Sequence, residues 1–241
     1  MNNKIFKLIT ENLKNSFNLP KYSEVKYDAN TVLLDLPWTP ARFRKFQEII
    51  ESKLDLDSTF NGTIQEIVDD FDKRYMYRFF SEIWKPKTDV YAYTGWGIVE
   101  EVNKLNPKAV LDVGCGYNQF KSRIPNLIGI DPCNHDADYM VDILDYKVAD
   151  ESYDAIIAFG SINFNSKQDI EERFAHCVRL LSKNGKMFFR VNPGISHKNG
   201  PWVDIFPWSF EVVNEFVVKY NLTLEIFKKD NNDRLYFVVK K

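Results

Sequence analysis

Three carboxylates stand at the ends of short apolar runs in the middle of the chain, where they could accept hydrogen bonds from a polar ligand. They are Asp112, Asp131 and Asp142, each at the close of a predicted strand. Gly114 and Gly116 follow the first acid, and glycine lets a backbone turn sharply and lets a ligand come close where a Cβ atom would block it. Ligands bind beyond the carboxyl ends of the strands in open α/β sheets. The spacing therefore predicts a nucleotide-like site in this part of the chain.

The apolar pattern around these acids predicts an α/β fold with a doubly wound, mostly parallel, seven-stranded sheet whose last strand is antiparallel. Amphipathic spacing predicts helices over 97–105, 168–181 and 207–220. Only a handful of residues separate the second and third predicted strands, which is too few for a crossover helix. Short apolar runs bounded by turn residues indicate the strands, here 109–113, 127–131, 139–143, 153–159, 186–191, 222–227 and 234–239.

The first part of the chain has helical periodicity. Apolar residues recur at helical spacing over 5–13, 41–53 and 63–84. We therefore predict two parts. Residues 1–90 would form a helical appendage that closes over the site as a lid, and residues 91–241 would form the ligand-binding α/β domain.

Composition limits the classes of protein to consider. The 241 residues carry a formal charge of −2, so no global basic field would attract nucleic acid or a membrane surface. The three cysteines have neither metal-ligand nor disulfide spacing, so we predict no metal site and expect a reduced, cytoplasmic setting. The N-terminal segment lacks the apolar core of a signal peptide, and no run approaches about 18 apolar residues. We therefore expect no membrane-spanning segment.

The order of these motifs resembles the cofactor-binding half of class I S-adenosylmethionine-dependent methyltransferases. The matching segments are LDVGCGYNQF, LIGID, VDILD, YDAIIAFGSINF and LLSKNGKMFFRV, and the resemblance covers about residues 95–239. The terminal hairpin is also similar to that family, whose sheet ends with a reversed last strand. The resemblance implies a Rossmann-like methyltransferase domain over residues 91–241, with S-adenosylmethionine as its cofactor.

The resemblance implies which residues meet the methionine part of the cofactor. Gly114 and Gly116 would let the backbone approach it, and Asp112 would attract its ammonium group. Phe159 and Gly160 follow the fourth predicted strand, where a backbone carbonyl usually meets the same ammonium group.

The resemblance also implies how the nucleoside is held. Asp131 would accept hydrogen bonds from both ribose hydroxyls, and Asp142 would accept one from the adenine amino group. Ile143 would offer its backbone N–H and an apolar face to the ring. Asn118 stands where the family often has a third small residue, and asparagine tolerates a left-handed backbone.

Methyl transfer from a sulfonium depends mainly on aligning donor and acceptor, and the sequence shows no catalytic residue clearly. His197, in the long loop after the fifth predicted strand, is the candidate general base, because histidine titrates near neutral pH. The alternative is that His197 is a solvated loop residue. Asn163 could orient an acceptor amine or hydroxyl, or it could be a turn residue. Trp202, Phe206 and Trp208 could line an acceptor site, or they could pack in the core or in a lid.

The resulting prediction is a methyltransferase that moves a methyl group from S-adenosylmethionine to an unidentified acceptor, with a small molecule or a protein ranked ahead of nucleic acid. Basic and aromatic residues are mixed over 42–45 and 73–78, as on some nucleic-acid surfaces, but Asp69, Asp70 and Asp72 weaken that interpretation. One alternative is a methyltransferase-fold protein without catalysis that serves in binding or assembly. Another is a NAD-type oxidoreductase, which the absence of a third glycine in the turn disfavours.

Overall fold

The computed structural model of the chain describes residues 2–17, 27–85, 95–230 and 232–241. The chain forms two compact units. Met1–Phe79 and Ser196–Asp204 make up one, here called the N-terminal unit, and Phe80–Ile195 and Ile205–Lys241 make up the other, here called the sheet unit. The predicted boundary between residues 90 and 91 lies outside the described residues. The division into 1–90 and 91–241, and the role of the first part as a lid, therefore stay predictions.

The N-terminal unit is helical because its apolar residues recur at helical spacing and because its helices start at residues suited to cap them. Asn2, Thr39 and Thr63 accept backbone N–H groups at the helix starts, and Glu66 completes a capping box at Thr63. The helix faces meet in one apolar core. The elements are α1 (Asn3–Ser16), a 3₁₀ turn (Leu33–Asp35), α2 (Pro40–Leu54) and α3 (Ile64–Arg78).

A π-helical turn over Phe79–Ile83 follows α3, and the chain passes from one unit to the other within it. The long helix predicted over 63–84 is therefore present as an α-helix that changes its hydrogen-bond pattern in the last turn. None of the helices formed by the described residues is long and apolar enough to cross a membrane.

The segment Ser196–Asp204 belongs to the N-terminal unit although it follows the parallel strands in sequence. The indole N–H of Trp202 donates to the carbonyl of Lys53 at 2.9 Å, and the side-chain amide of the buried Asn2 donates to the carbonyl of Trp202 at 2.8 Å. The Trp202 side chain also packs on the apolar core of the unit. This segment is therefore a built-in part of the N-terminal unit.

The sheet unit has the predicted α/β architecture, with six strands and not the seven predicted. The strands lie in the order β2-β1-β3-β4-β6-β5. The ladders from β2 to β4 are parallel, and β6 pairs antiparallel with both β4 and β5. The strands are β1 (Val110–Val113), β2 (Leu127–Ile130), β3 (Tyr153–Phe159), β4 (Leu181–Val191), β5 (Thr223–Lys229) and β6 (Leu235–Lys240). The helices are α4 (Gly97–Asn103), α5 (Lys167–Leu180) and α6 (Phe210–Lys219).

The third predicted strand, 139–143, is not a strand, and this prediction was wrong. A single bridge joins Tyr139 to Ile130, and the chain then turns, with the N–H of Val141 donating back to the carbonyl of Tyr139 at 3.1 Å. Parallel strands need a long crossover between them, and residues 131–138, all of which are described, form turns without a helix. The segment therefore pairs with β2 at this one bridge only, and β2 is one of the two edge strands of the sheet, β5 being the other.

β1 and most of β3 are buried, as expected for parallel strands that are covered on both faces. Phe174 of α5 and Phe216 of α6 belong to one apolar cluster, and Ile98 and Val102 of α4 belong to another. The parallel ladders place the carboxyl ends of β1, β2 and β3 at one edge of the sheet. Most of the predicted ligand-binding residues lie in the last two positions of these strands or in the turns that follow them.

Candidate functional site

The turn after β1 lies against the segment that follows β3. A Cβ atom built on Gly114 would lie 2.2 Å from the Cβ of Ser161, and Gly114 has a φ of +66°. Both packing and backbone conformation therefore require glycine there. Gly116 has a φ of +55°, and no atom of the described residues lies within 4 Å of a Cβ built on it. The open space beside Gly116 fits the close approach of a ligand to the backbone.

Asp112, in β1, is the most deeply buried carboxyl group of this edge. It is 2% exposed, and no residue that the structure describes donates a hydrogen bond to its carboxyl group. Burial and, second, the nearby carboxylate of Asp131 raise the pKa of Asp112 to about 8. A buried carboxyl group without a partner costs free energy. A cationic group bound beside Asp112 would restore its charged form.

Asp131 connects the end of β2 to the glycine turn. Its Oδ2 accepts the backbone N–H of Gly116 at 3.0 Å, and its Oδ1 accepts the backbone N–H of Cys133 at 2.8 Å. Burial raises the pKa of Asp131, and the backbone hydrogen bonds oppose that rise. A carboxylate has about four lone-pair sites, so Asp131 keeps acceptor capacity for a ligand.

Asp142 is held by its own turn and by a helix. Its Oδ1 accepts the backbone N–H of Leu144 at 3.0 Å, and its Oδ2 accepts a hydrogen bond from Nη2 of Arg173 at 3.2 Å. The neighbouring Ile143 is 3% exposed and its side chain packs in the apolar core. The Asp142 carboxylate is therefore partly exposed and lies beside the guanidinium group of Arg173.

The chain turns sharply after β3. Gly160 has a φ of +83°, and its N–H donates to the carbonyl of Arg190 at 2.9 Å. The ring of Phe159 lies edge-on to the rings of Phe120 and Tyr236, with both pairs of ring centres 6.1 Å apart. The Phe159 side chain therefore packs on a face of the sheet. The backbone at Phe159 and Gly160 is left as the part that a ligand could meet.

The segments after β3 and β4 are joined by hydrogen bonds. Asn163 is 4% exposed, its Oδ1 accepts the backbone N–H of Asn192 at 2.9 Å, and its backbone carbonyl accepts the N–H of Phe206 at 2.8 Å. The indole N–H of Trp208 donates to the carbonyl of Ile162 at 2.8 Å. Phe206 and Trp208 are both buried in the core of the sheet unit, which is the packing alternative considered from the sequence.

His197 is placed in the N-terminal unit, within Ser196–Asp204. Its ring centre lies 5.3 Å from that of Phe79, at an angle of 51°. His197 is half-buried. Its role as a general base stays a prediction.

Arg173 is a residue of this edge that the sequence interpretation left out. It shares one stripe of α5 with the buried Ile170 and Cys177, and a charged residue on a buried stripe needs a partner. That signal was available from the sequence. No such signal marks Ser161 in the sequence. Its buried Oγ lacks a hydrogen-bond partner among the described residues. Its environment depends on how the turn after β1 packs.

Away from this edge of the sheet, the described residues offer little that could bind a metal ion or a ligand. No group of three or more His, Cys, Asp and Glu side chains among the described residues could hold a metal ion. A shallow groove of about 570 Å³ runs along α4, where Arg123 and Trp96 are among its lining residues. None of the predicted site residues lines that groove.

Residues 111–189 match a protein family described as "Methyltransferase domain". The matched part begins inside β1 and ends inside β4. It therefore contains the glycine turn, the acids that follow β2 and precede β3, and the segment after β3. No curated protein sequence matches the chain.

Solved structures share the fold of the chain at low sequence identity. The 1,6-didemethyltoxoflavin-N1-methyltransferase of Burkholderia thailandensis, with bound 1,6-didemethyltoxoflavin and S-adenosylhomocysteine, is 11% identical with a TM-score of 0.56, over 73% of this chain and 89% of that chain. The N-methyltransferase NodS of Bradyrhizobium japonicum, in complex with S-adenosylhomocysteine, is 13% identical with a TM-score of 0.54, over 70% and 98%. Magnesium protoporphyrin IX methyltransferase of Synechocystis, with bound S-adenosylmethionine, is 10% identical with a TM-score of 0.51, over 70% and 97%.

Proposed function

We propose that the chain, whose residues 111–189 match a methyltransferase-domain family, is a class I S-adenosylmethionine-dependent methyltransferase that transfers the methyl group of S-adenosylmethionine to a small-molecule or protein acceptor. The proposal places the cofactor at the carboxyl edge of β1, β2 and β3. The residues proposed to hold it are Asp112, Gly114, Gly116, Asp131, Asp142, Ile143, Phe159 and Gly160.

The observation that carries the proposal is the buried carboxyl group of Asp112. It has no hydrogen-bond donor among the described residues, and its pKa is raised to about 8. Acids with a strongly perturbed pKa are candidates for function. The ammonium group of the methionine part would supply the missing positive charge. Gly116 and Gly160, which both face open space, would let that part approach the backbone.

The nucleoside would lie toward Asp131 and Asp142. Both carboxylates are already anchored by backbone N–H groups, from Gly116 and from Leu144 respectively. Anchored acceptors cost little entropy when a ligand binds. Asp131 would accept the ribose hydroxyls, and Asp142 would accept the adenine amino group.

S-Adenosylmethionine supplies a methyl group that is already activated on a sulfonium. The chain's residues therefore have mainly to hold the donor and the acceptor in the reacting orientation. We retain His197 as the proposed general base and Asn163 as the proposed orienting residue. The Oδ1 of Asn163 is engaged by Asn192, so only its amide nitrogen would be available to an acceptor. Once an acceptor is identified, His197→Gln should lower turnover at saturating cofactor, and unchanged turnover would remove His197 from this role.

The ranking of acceptors rests on charge and on proteins of the same fold. Arg74 pairs with Asp70, and Arg78 pairs with Asp55, each at 2.5 Å. These basic residues are therefore partly neutralised, which disfavours a phosphate-binding surface. One solved structure of this fold holds 1,6-didemethyltoxoflavin, a small molecule. A small-molecule or protein acceptor is accordingly proposed ahead of nucleic acid.

The test is calorimetric titration of the full chain with S-adenosylmethionine, S-adenosylhomocysteine and NAD. We expect binding of the first two and not of NAD, and loss of binding in Asp131→Ala. Absence of binding by the intact chain would overturn the cofactor proposal, and binding of NAD alone would favour an oxidoreductase. Binding of S-adenosylmethionine without transfer of a labelled methyl group to any fraction of a cell extract would favour a binding or assembly protein.

A further inference from the structure

We infer that Arg173 is a positioning residue for adenine recognition, acting through Asp142. The inference rests on the proposed function, because it concerns the end of the same site that would hold the adenine amino group. It assigns to α5 a part in selecting the base of the cofactor.

The contact between the two residues is direct. Nη2 of Arg173 lies 3.2 Å from Oδ2 of Asp142, and the two side chains are 27% and 29% exposed. Hydrogen bonds between charged groups are stronger than those between neutral groups. A partly buried pair is also less screened by salt than an exposed one. The guanidinium group therefore fixes one oxygen of the carboxylate.

The other oxygen is fixed as well. The backbone N–H of Leu144 donates to Oδ1 of Asp142 at 3.0 Å. With one donor on each oxygen, the plane of the carboxylate cannot rotate freely. The remaining lone pairs then point in set directions, which makes Asp142 an acceptor of defined geometry.

Arg173 is itself held in place. Its Nη1 donates to the carbonyl of Asp169 at 3.2 Å, one turn earlier on α5. The side chain of Asp169 accepts the backbone N–H of Ser166 at 3.0 Å in the capping box that starts the helix. The guanidinium position is thus set by the first turn of α5, which begins shortly after the end of β3.

The chemical consequence concerns the group at position 6 of the purine. A carboxylate whose free lone pairs are fixed favours a hydrogen-bond donor, such as the amino group of adenine. An unfixed carboxylate makes this bond with poorer geometry and loses side-chain entropy on binding. Removing the guanidinium group should therefore weaken recognition of the amino group and leave the rest of the binding energy in place.

The test compares two ligands by calorimetry on the full chain: S-adenosylhomocysteine and its analogue in which hydrogen replaces the 6-amino group. Wild-type protein should prefer the amino compound. Arg173→Met should lower the affinity for the amino compound about tenfold, the size of one weak charge-assisted hydrogen bond. It should leave the affinity for the analogue within about twofold, so the preference shrinks.

The matched control is Arg179→Met. Arg179 lies on the same helix and pairs with Asp150, so this variant also removes an arginine–aspartate pair from α5. It should retain the wild-type preference. Arg173→Lys, which keeps the charge without the planar group, should show an intermediate preference and serves if Arg173→Met does not fold.

A double-mutant cycle completes the test. In the Asp142→Ala background, Arg173→Met should cause no further loss of preference. An unchanged preference in Arg173→Met, or an equal loss of affinity for both ligands, would overturn the inference and leave the proposed function intact. Failure of the wild-type chain to bind S-adenosylhomocysteine would overturn the proposed function itself.

Discussion

The carboxylate of Asp131 accepts the backbone N–H of Gly116 at 3.0 Å, so the end of β2 holds the glycine turn that follows β1. Asp131→Ala removes this bond and the proposed acceptor for ribose. We expect the affinity for S-adenosylhomocysteine to fall about 100-fold or more, the sum of two charge-assisted hydrogen bonds. Calorimetric titration measures this directly. The control is Asp136→Ala, an exposed acid of the same loop, and an equal loss of affinity there would assign the effect to the loop's charge.

Gly114 should tolerate no larger side chain. In Gly114→Ala the new Cβ would lie 2.2 Å from the Cβ of Ser161, at a φ of +66°. We expect the free energy of unfolding to fall by about 2–5 kcal/mol, from steric overlap and left-handed strain together. Urea unfolding measures the change. Gly97→Ala is the control, because no described atom lies within 4 Å of a Cβ there, and equal effects in the two variants would contradict the packing argument.

Asp112 should make stability depend on pH. Its folded pKa, about 8, lies above its ordinary value of 3.8, so between these values the folded protein binds a proton that the unfolded chain has released. Stability from this group is therefore present at low pH and is lost as pH rises through about 8. The free energy of unfolding of Asp112→Asn should exceed that of wild type. This excess should be about 1–3 kcal/mol larger at pH 8.5 than at pH 6. Urea unfolding at both pH values measures the difference, and a pH-independent difference would contradict it.

Binding should be linked to the same proton. Pairing with an ammonium group favours the charged form of Asp112, so S-adenosylhomocysteine should release a proton from the protein near pH 7. Calorimetry in two buffers of different ionisation enthalpy counts that proton. Asp112→Asn should abolish the release, and an unchanged release in the variant would assign the proton to another group.

Asn2 should stabilise the N-terminal unit through both ends of its amide. Its Nδ2 donates to Oδ1 of Asp72 and to the carbonyl of Trp202, each at 2.8 Å, while its Oδ1 caps α1. We expect Asn2→Ala to lower the free energy of unfolding by about 1–3 kcal/mol, as for a lost cap and lost buried hydrogen bonds. Thermal unfolding followed by circular dichroism measures it. Asn12→Ala, on the same helix, should cost about 0.5 kcal/mol or less.

The sequence predicted the strands that were buried on both faces and failed where pairing depended on connection length. The runs at 109–113 and 153–159 were recognisable because apolar continuity is a local property. The run at 139–143 has the same local character, but its place in the sheet depends on a crossover that residues 131–138 do not provide. Local pattern cannot report that dependence.

The acids and glycines of the candidate site could be predicted from the sequence. The groups that donate hydrogen bonds to those acids were harder to predict. Asp112, Asp131 and Asp142 were found because each closes an apolar run. The hydrogen bonds from Gly116 and Arg173 that orient the last two are long-range contacts, which single-chain spacing does not encode. His197 lies in a segment with no local signal for joining helices made far earlier in the chain.

The discontinuity of the N-terminal unit has a consequence for synthesis. Helices α1 to α3 are translated first, and domains generally fold as units during synthesis, starting with the N-terminal one. Here Ser196–Asp204 completes the unit, and it leaves the ribosome only after all four parallel strands. The part of the protein that is made first is therefore finished among the last, and a nascent chain stalled before residue 204 carries an N-terminal unit that lacks part of its core.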